Sequence, residues 1–97
     1  MAAYLIADVN VTDQEGYAEY RARVPAVIAA HGGRHLARGG ATTVLEGDWL
    51  PNRLVILEFP DMEHVLAFCN SPDYEPLRAI RDRCATSRLL AVEGYSP

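Results

Sequence analysis

The chain has 97 residues, 49% of them apolar and 23% charged, with 9 basic against 13 acidic side chains and a formal net charge of −4. That length makes one domain, residues 1–97, with one modest core, and the composition excludes a disordered or low-complexity chain. All the basic residues are Arg, and with no excess of cations to displace phosphate counterions the balance argues against nucleic-acid binding.

Residues 4–11 (YLIADVNV) alternate. Leu5, Ala7, Val9 and Val11 share one apolar face and Tyr4, Ile6, Asp8 and Asn10 a mixed one, the pattern of a half-buried strand. Thr12-Asp13-Gln14-Glu15 matches a capping box, with Thr12 as cap, and predicts a helix over about 13–31. Tyr17, Tyr20, Val24, Val27 and Ile28 recur along it at spacings of three and four. Pro25 removes one intrahelical donor and is expected to bend it, and Gly32-Gly33 supplies the left-handed exit. Residues 34–38 (RHLAR) read as a second strand, Gly39-Gly40 as a bulge or turn, and 42–46 (TTVLE) as extended. A loop around Trp49 follows.

Residues 53–59 (RLVILEF) are the strongest strand, apolar enough to be central and covered on both sides. Pro60-Asp61 opens a helix that should bury Met62, Val65, Leu66 and Cys69. Asn70-Ser71-Pro72 breaks it. Ser71 or Asp73 caps the next helix, which buries Tyr74, Leu77, Ile80 and Cys84 and turns Arg78, Arg81, Asp82 and Arg83 to solvent. Residues 87–93 (SRLLAVE) make the last strand. The order β-α-β-(β)-β-α-α-β, with its second helix broken, gives an α+β ferredoxin-like sandwich with an antiparallel sheet. Helices then cover one sheet face. The other, carrying Tyr4, Ile6, Leu54, Ile56, Leu90 and Val92, is too apolar to leave wet, and a second copy of the chain is its simplest cover. Cys69 and Cys84 lack CxxC spacing and read as reduced core residues. The N-terminus has neither the charged lead nor the long apolar stretch of a signal peptide, and no apolar run is long enough for a membrane span, so the expected setting is the cytoplasm.

Tyr-Leu-Ile-Ala-Asp-Val at 4–9, Gly-Gly-Arg-His-Leu-Ala-Arg-Gly-Gly at 32–40, Leu-Glu-Gly-Asp-Trp at 45–49, Glu-Phe-Pro at 58–60 and Ser-Pro-Asp-Tyr at 71–74 together resemble the domain-of-unknown-function family 1330. The resemblance runs from about Ala3 to Gly94. Such proteins are similar to the dimeric α+β barrel superfamily, which implies a homodimer with two sheets packed face to face. That superfamily spans cofactor-free monooxygenases, isomerases, cyclases, haem enzymes and stress-response proteins, so the resemblance implies a fold and an assembly and leaves the activity open.

The motifs narrow the chemistry. His31, His35 and His64 form no HxH or HExxH spacing, so neither a prebuilt metal site nor a cofactor is expected. There is no GxSxG elbow, and the glycine pairs match no nucleotide-binding pattern. Asp8 and Arg38 lie late in two strands that flank a third, at the same end of the sheet. They are expected to pair with each other, or Arg38 to present its fork to a substrate carboxylate or enolate. His35 lies between Arg34 and Arg38. The candidate catalytic residues are therefore His35, Arg38 and Asp8, with Tyr17, Tyr20 and Trp49 as substrate-binding candidates. In an enzyme, His35 or Asp8 moves a proton while Arg38 and Tyr17 or Tyr20 steady an oxyanion on a small enolisable or aromatic molecule. In the alternative, a non-catalytic dimeric binding or stress-associated module, the same groups hold the subunits together. A cavity of roughly 300 Å³ or more between sheet and helices, lined by at least three of these polar groups, distinguishes the first from the second.

Overall fold

The computed structural model describes residues 1–97. Strand β1 (Ala3–Val11) leads to helix α1 (Gln14–Ala30), followed by β2 (Arg34–Arg38), β3 (Leu54–Phe59), α2 (Met62–Cys69), α3 (Glu75–Cys84) and β4 (Ala85–Glu93). The sheet order is β2-β3-β1-β4 with every neighbouring pair antiparallel, the topology of a ferredoxin-like sandwich. The molecule is a slab measuring 41 × 39 × 16 Å, two layers thick.

The alternation of β1 decides what packs where. Ala3, Leu5, Ala7 and Val9 are buried beneath the helices, with Leu57 and Phe59 of the neighbouring β3 on the same side. Phe59, Val65, Phe68 and Leu77 are the most deeply buried large side chains. The Phe68 ring sits 4.4 Å from that of Tyr74 and 5.4 Å from that of Phe59, so an aromatic cluster joins α2, α3 and the sheet. Phe68 replaces Leu66 in the expected core; Leu66 faces outward, 54% exposed. In an eight-residue helix that is apolar on several sides, spacing alone does not fix the phase.

Helix α1 begins one residue later than its capping box predicts. The cap is Asp13, whose carboxylate accepts from the Gly16 N–H. Thr12 is engaged elsewhere: its hydroxyl and its N–H both donate to the Cys84 carbonyl at the end of α3, as does the Asp13 N–H. One orphan carbonyl of α3 thus ties the start of α1 to the start of β4. The helix runs through Pro25 and ends as expected, with Gly32 at φ +79°. The Gly33 N–H bonds the Ile28 carbonyl and the Gly32 N–H that of Ala29, a Schellman closure.

Helix α3 carries Pro76 in its first turn, and its N-cap position is Tyr74, whose N–H is held by the Ser71 hydroxyl. Arg81 corrects the expected solvated face: it is only 8% exposed. Residues 42–46, expected extended, form no strand and stay exposed, since no neighbouring strand offers them a ladder.

The opposite sheet face is bare. Leu90 is 60% and Val92 46% exposed, with Tyr4, Ile6, Leu54 and Ile56 half-buried beside them. Ion pairs edge this apolar strip, Arg34 with Glu58 at 2.8 Å and Arg88 with Asp8 at 3.4 Å. No helix is long and apolar enough to cross a membrane.

Candidate functional site

A break in β2 organises the site. His35 opposes Leu57, Ala37 opposes Ile56 and Arg38 opposes Val55, so Leu36 is an extra residue bulged out of the ladder. In a regular strand, residues three apart point to opposite faces. The bulge cancels that parity and turns His35 and Arg38 to the same side, toward the helices. Gly39 follows at φ +70°, and a Cβ there would lie 2.7 Å from the Arg53 guanidinium carbon. Gly39 therefore supplies both the left-handed turn and the room for Arg53.

Between sheet and helices lies a cavity of about 40 Å³ lined by His35, Arg38, Arg53, Tyr17, Tyr20 and Arg81 among mostly apolar side chains. It opens toward an outer cleft of about 340 Å³ that shares Val9, Tyr17, Arg21 and Arg53 with it. The inner cavity has the polar lining expected of a ligand site but room for only one or two waters. The outer cleft has the volume but, of the expected groups, only Tyr17. The Arg53 guanidinium stacks 5.9 Å from the centre of the Tyr17 ring, at the boundary between the two spaces.

The charges are held from several elements. Arg38 Nη2 donates to the Arg21 carbonyl of α1 at 2.6 Å. Deeper in, the Tyr20 and Tyr74 hydroxyls are 2.8 Å apart and Arg81 Nη1 donates to Tyr74 Oη at 2.8 Å. Burial pushes both phenols up from their ordinary range, so they remain neutral hydrogen-bonding groups. His35 moves down from 6.5: burial disfavours its charged form, and Arg38 and Arg53 repel a further positive charge. At pH 7 it is a neutral imidazole facing two guanidinium groups.

Asp8 and Arg38 do reach the same end of the sheet, opposite Leu54 and Val55 of β3, but they emerge on opposite faces, and the expected ion pair does not form. Asp8 accepts from the Asn52 N–H at 2.9 Å and meets Arg88 instead. Burial raises its carboxyl, but Asn52, Arg88 and Trp49 outweigh this and hold it below the usual carboxylate range. Asp8 and Trp49 line a separate open cleft of about 360 Å³ with Ile6, Leu54 and Leu90 on the bare face. The six candidates thus divide: His35, Arg38, Tyr17 and Tyr20 meet beneath the helices, whereas Asp8 and Trp49 belong to the other side of the sheet. No cluster of three His, Cys, Asp or Glu side chains is placed to hold a metal ion.

Sequence reading missed Arg21, Arg53 and Arg81. Arg53 stands in phase with Val55, Leu57 and Phe59 on the helix-facing side of β3, and Arg81 falls in the buried helical series Tyr74, Leu77, Arg81, Cys84. Both signals are cations at apolar phase positions.

Solved structures share this architecture. A protein of unknown function from Rhodopseudomonas palustris is 21% identical, with 99% of this chain and 84% of that one covered at a TM-score of 0.77. A dimeric ferredoxin-like protein of unknown function from Jannaschia sp. CCS1 is 13% identical, covering 97% of this chain and 100% of that one at 0.72. SnoaB, a cofactor-independent oxygenase from Streptomyces nogalater, is 13% identical, covering 99% and 95% at 0.64. At such identities the likeness shows the fold alone. No curated protein matches the chain. The model of a domain of unknown function, DUF1330, matches residues 2–95, and the chain belongs to that family.

Proposed function

We propose that the protein is a homodimeric, cytoplasmic α+β barrel enzyme that acts without a cofactor on a small enolisable or aromatic molecule. The observation that carries this reading is the bulge-directed placement of a neutral His35 beside Arg38 and Arg53 in a largely apolar cavity. The resemblance in fold to a cofactor-independent oxygenase supports it. His35 takes the proton from a carbon next to a carbonyl and becomes imidazolium. The electron pair of the broken C–H bond becomes the new C=C π bond while the carbonyl π pair moves onto the oxygen, where Arg38 donates to the enolate. Oxygenation, isomerisation and cyclisation of such molecules all start from this species. The bare sheet face, apolar in the middle and charged at its edges, supports a second copy as its cover. In this reading Asp8, expected as an alternative proton carrier, takes no part in the proton transfer and belongs to that assembly face, next to Arg88 and Trp49.

The test follows the shared first step rather than any one product. Exchange of the α-protons of a panel of 1,3-dicarbonyl compounds in D₂O, followed by proton NMR, should be accelerated by the protein and reduced about 100-fold or more by His35→Gln. Exchange no faster than in buffer, or unchanged in His35→Gln, contradicts the reading. The 40 Å³ inner cavity favours the second reading, a non-catalytic dimeric module whose core is simply filled there. That module would give no exchange with any member of the panel.

A further inference from the structure

The charge pattern of the site differs from that of the chain as a whole. The chain as a whole is acidic, 13 carboxylates to 9 arginines, yet the inner cavity and the outer cleft are lined by Arg21, Arg38, Arg53, Arg81 and His35 with no Asp or Glu. Of the five arginines that face elsewhere, Arg23 meets Glu19 at 2.7 Å, Arg34 meets Glu58 at 2.8 Å and Arg88 meets Asp8 at 3.4 Å, while Arg78 and Arg83 of α3 form no ion pair. Arg21, Arg38 and Arg53 meet none. Two guanidinium nitrogens of the lining, Arg53 Nε and Arg81 Nε, are buried with no hydrogen-bond partner. Arg81 is itself 8% exposed, its only carboxylate neighbour being Asp82 at 3.7 Å. Burying unpaired guanidinium N–H groups costs free energy that an anion would offset.

We infer that this site binds a small monocarboxylate with an apolar or aromatic body, its carboxylate taken by the forks of Arg53 and Arg38. A guanidinium fork matches a planar carboxylate with two parallel hydrogen bonds; the inner cavity admits the carboxylate alone, and Val9, Val11 and the Tyr17 ring in the 340 Å³ outer cleft provide an apolar surface for the rest of the molecule. That apolar lining favours a carboxylic acid over inorganic phosphate, which has no body to bury. The inference rests on the reading of this cavity as a small-molecule site, and it names the substrate class of that site.

Benzoate, its neutral isostere benzamide, and inorganic phosphate serve as probes, each titrated into the protein by calorimetry and by NMR of the arginine Nε–H signals. Benzoate is expected to bind at least about tenfold tighter than benzamide and than phosphate, and to shift the Arg53 Nε–H signal. Arg53→Gln is expected to weaken benzoate about tenfold or more, with Arg53→Lys recovering only part, since it restores charge without the fork. Circular dichroism verifies that both variants fold. Benzoate that does not bind, binds no tighter than benzamide, or is matched by phosphate overturns the inference. Benzoate has no α-proton to lose, so the two readings separate. Selective benzoate binding without α-proton exchange supports the anion site and overturns catalysis. Exchange without carboxylate preference overturns this inference alone.

Discussion

Tyr74 is where the back wall of the site is most exposed to a single atom. Its hydroxyl stands 2.8 Å from Tyr20 Oη and accepts from Arg81 Nη1 at 2.8 Å, all in the interior. Tyr74→Phe removes that oxygen and leaves a buried guanidinium N–H and a phenol without partners. A hydrogen bond to a charged group contributes about 1.5–3 kcal/mol and a neutral one about 1, so the variant should lose about 2–4 kcal/mol. Arg81→Met should cost less, about 1 kcal/mol, because the Tyr74 hydroxyl still has Tyr20 and the thioether suits the cluster. In the double variant no cation is left to strand. It should therefore lie about 1.5 kcal/mol or more above the additive expectation. Urea unfolding of the four proteins, followed by circular dichroism, reads all the corners of the cycle. Energies that add to within about 0.5 kcal/mol would refute the claim that Tyr74 serves as the partner of a buried charge.

Three further outcomes follow from the same geometry. Deleting Leu36, the exposed bulge residue, leaves His35, Ala37 and Arg38 opposite the same partners in a continuous ladder, so stability should change by about 1 kcal/mol or less and α-proton exchange should persist; a loss of about 3 kcal/mol, as for a core truncation, contradicts the register. Leu90→Glu places a charge in the middle of the bare sheet face and should raise the dimer dissociation constant about tenfold or more by analytical ultracentrifugation, without lowering monomer stability; an unchanged sedimentation profile contradicts a second copy on that face. Asp61 is held below the usual carboxylate range by the side chain and then the N–H of His64, so its contribution to stability is present above its ordinary 3.8 and lost as pH falls through the lower folded value. His64→Ala should shrink that acid loss in thermal melts, and an unchanged acid limb contradicts the coupling.

The fold was legible because its signals were redundant. The alternation of β1, the Gly32-Gly33 exit from α1 and the apolar run of β3 each marked an element, and the element order with right-handed crossovers gave the sheet order found. The phase of α2 was not, because an eight-residue helix samples barely two turns and an extra apolar side chain at Leu66 offers a competing stripe. The site was legible in part. His35, Arg38, Tyr17 and Tyr20 were nameable as polar groups on core elements, but the bulge that gathers two of them depends on pairing with β3 and leaves no local mark in RHLAR. The same blindness to side-chain direction produced the expected Asp8–Arg38 pair: shared sheet end was readable, opposite face was not. Arg53 and Arg81 hid because charged residues read as solvated unless their phase is compared with the apolar residues around them.

The juxtaposition of His35 with two guanidinium groups is the physical core of the account, and the titration of its ring by NMR tests it most directly. The midpoint should lie below 6.5 and climb when Arg38→Gln or Arg53→Gln removes a neighbouring charge, because less repulsion then opposes the imidazolium. A midpoint at or above 6.5, unmoved by either substitution, would contradict it.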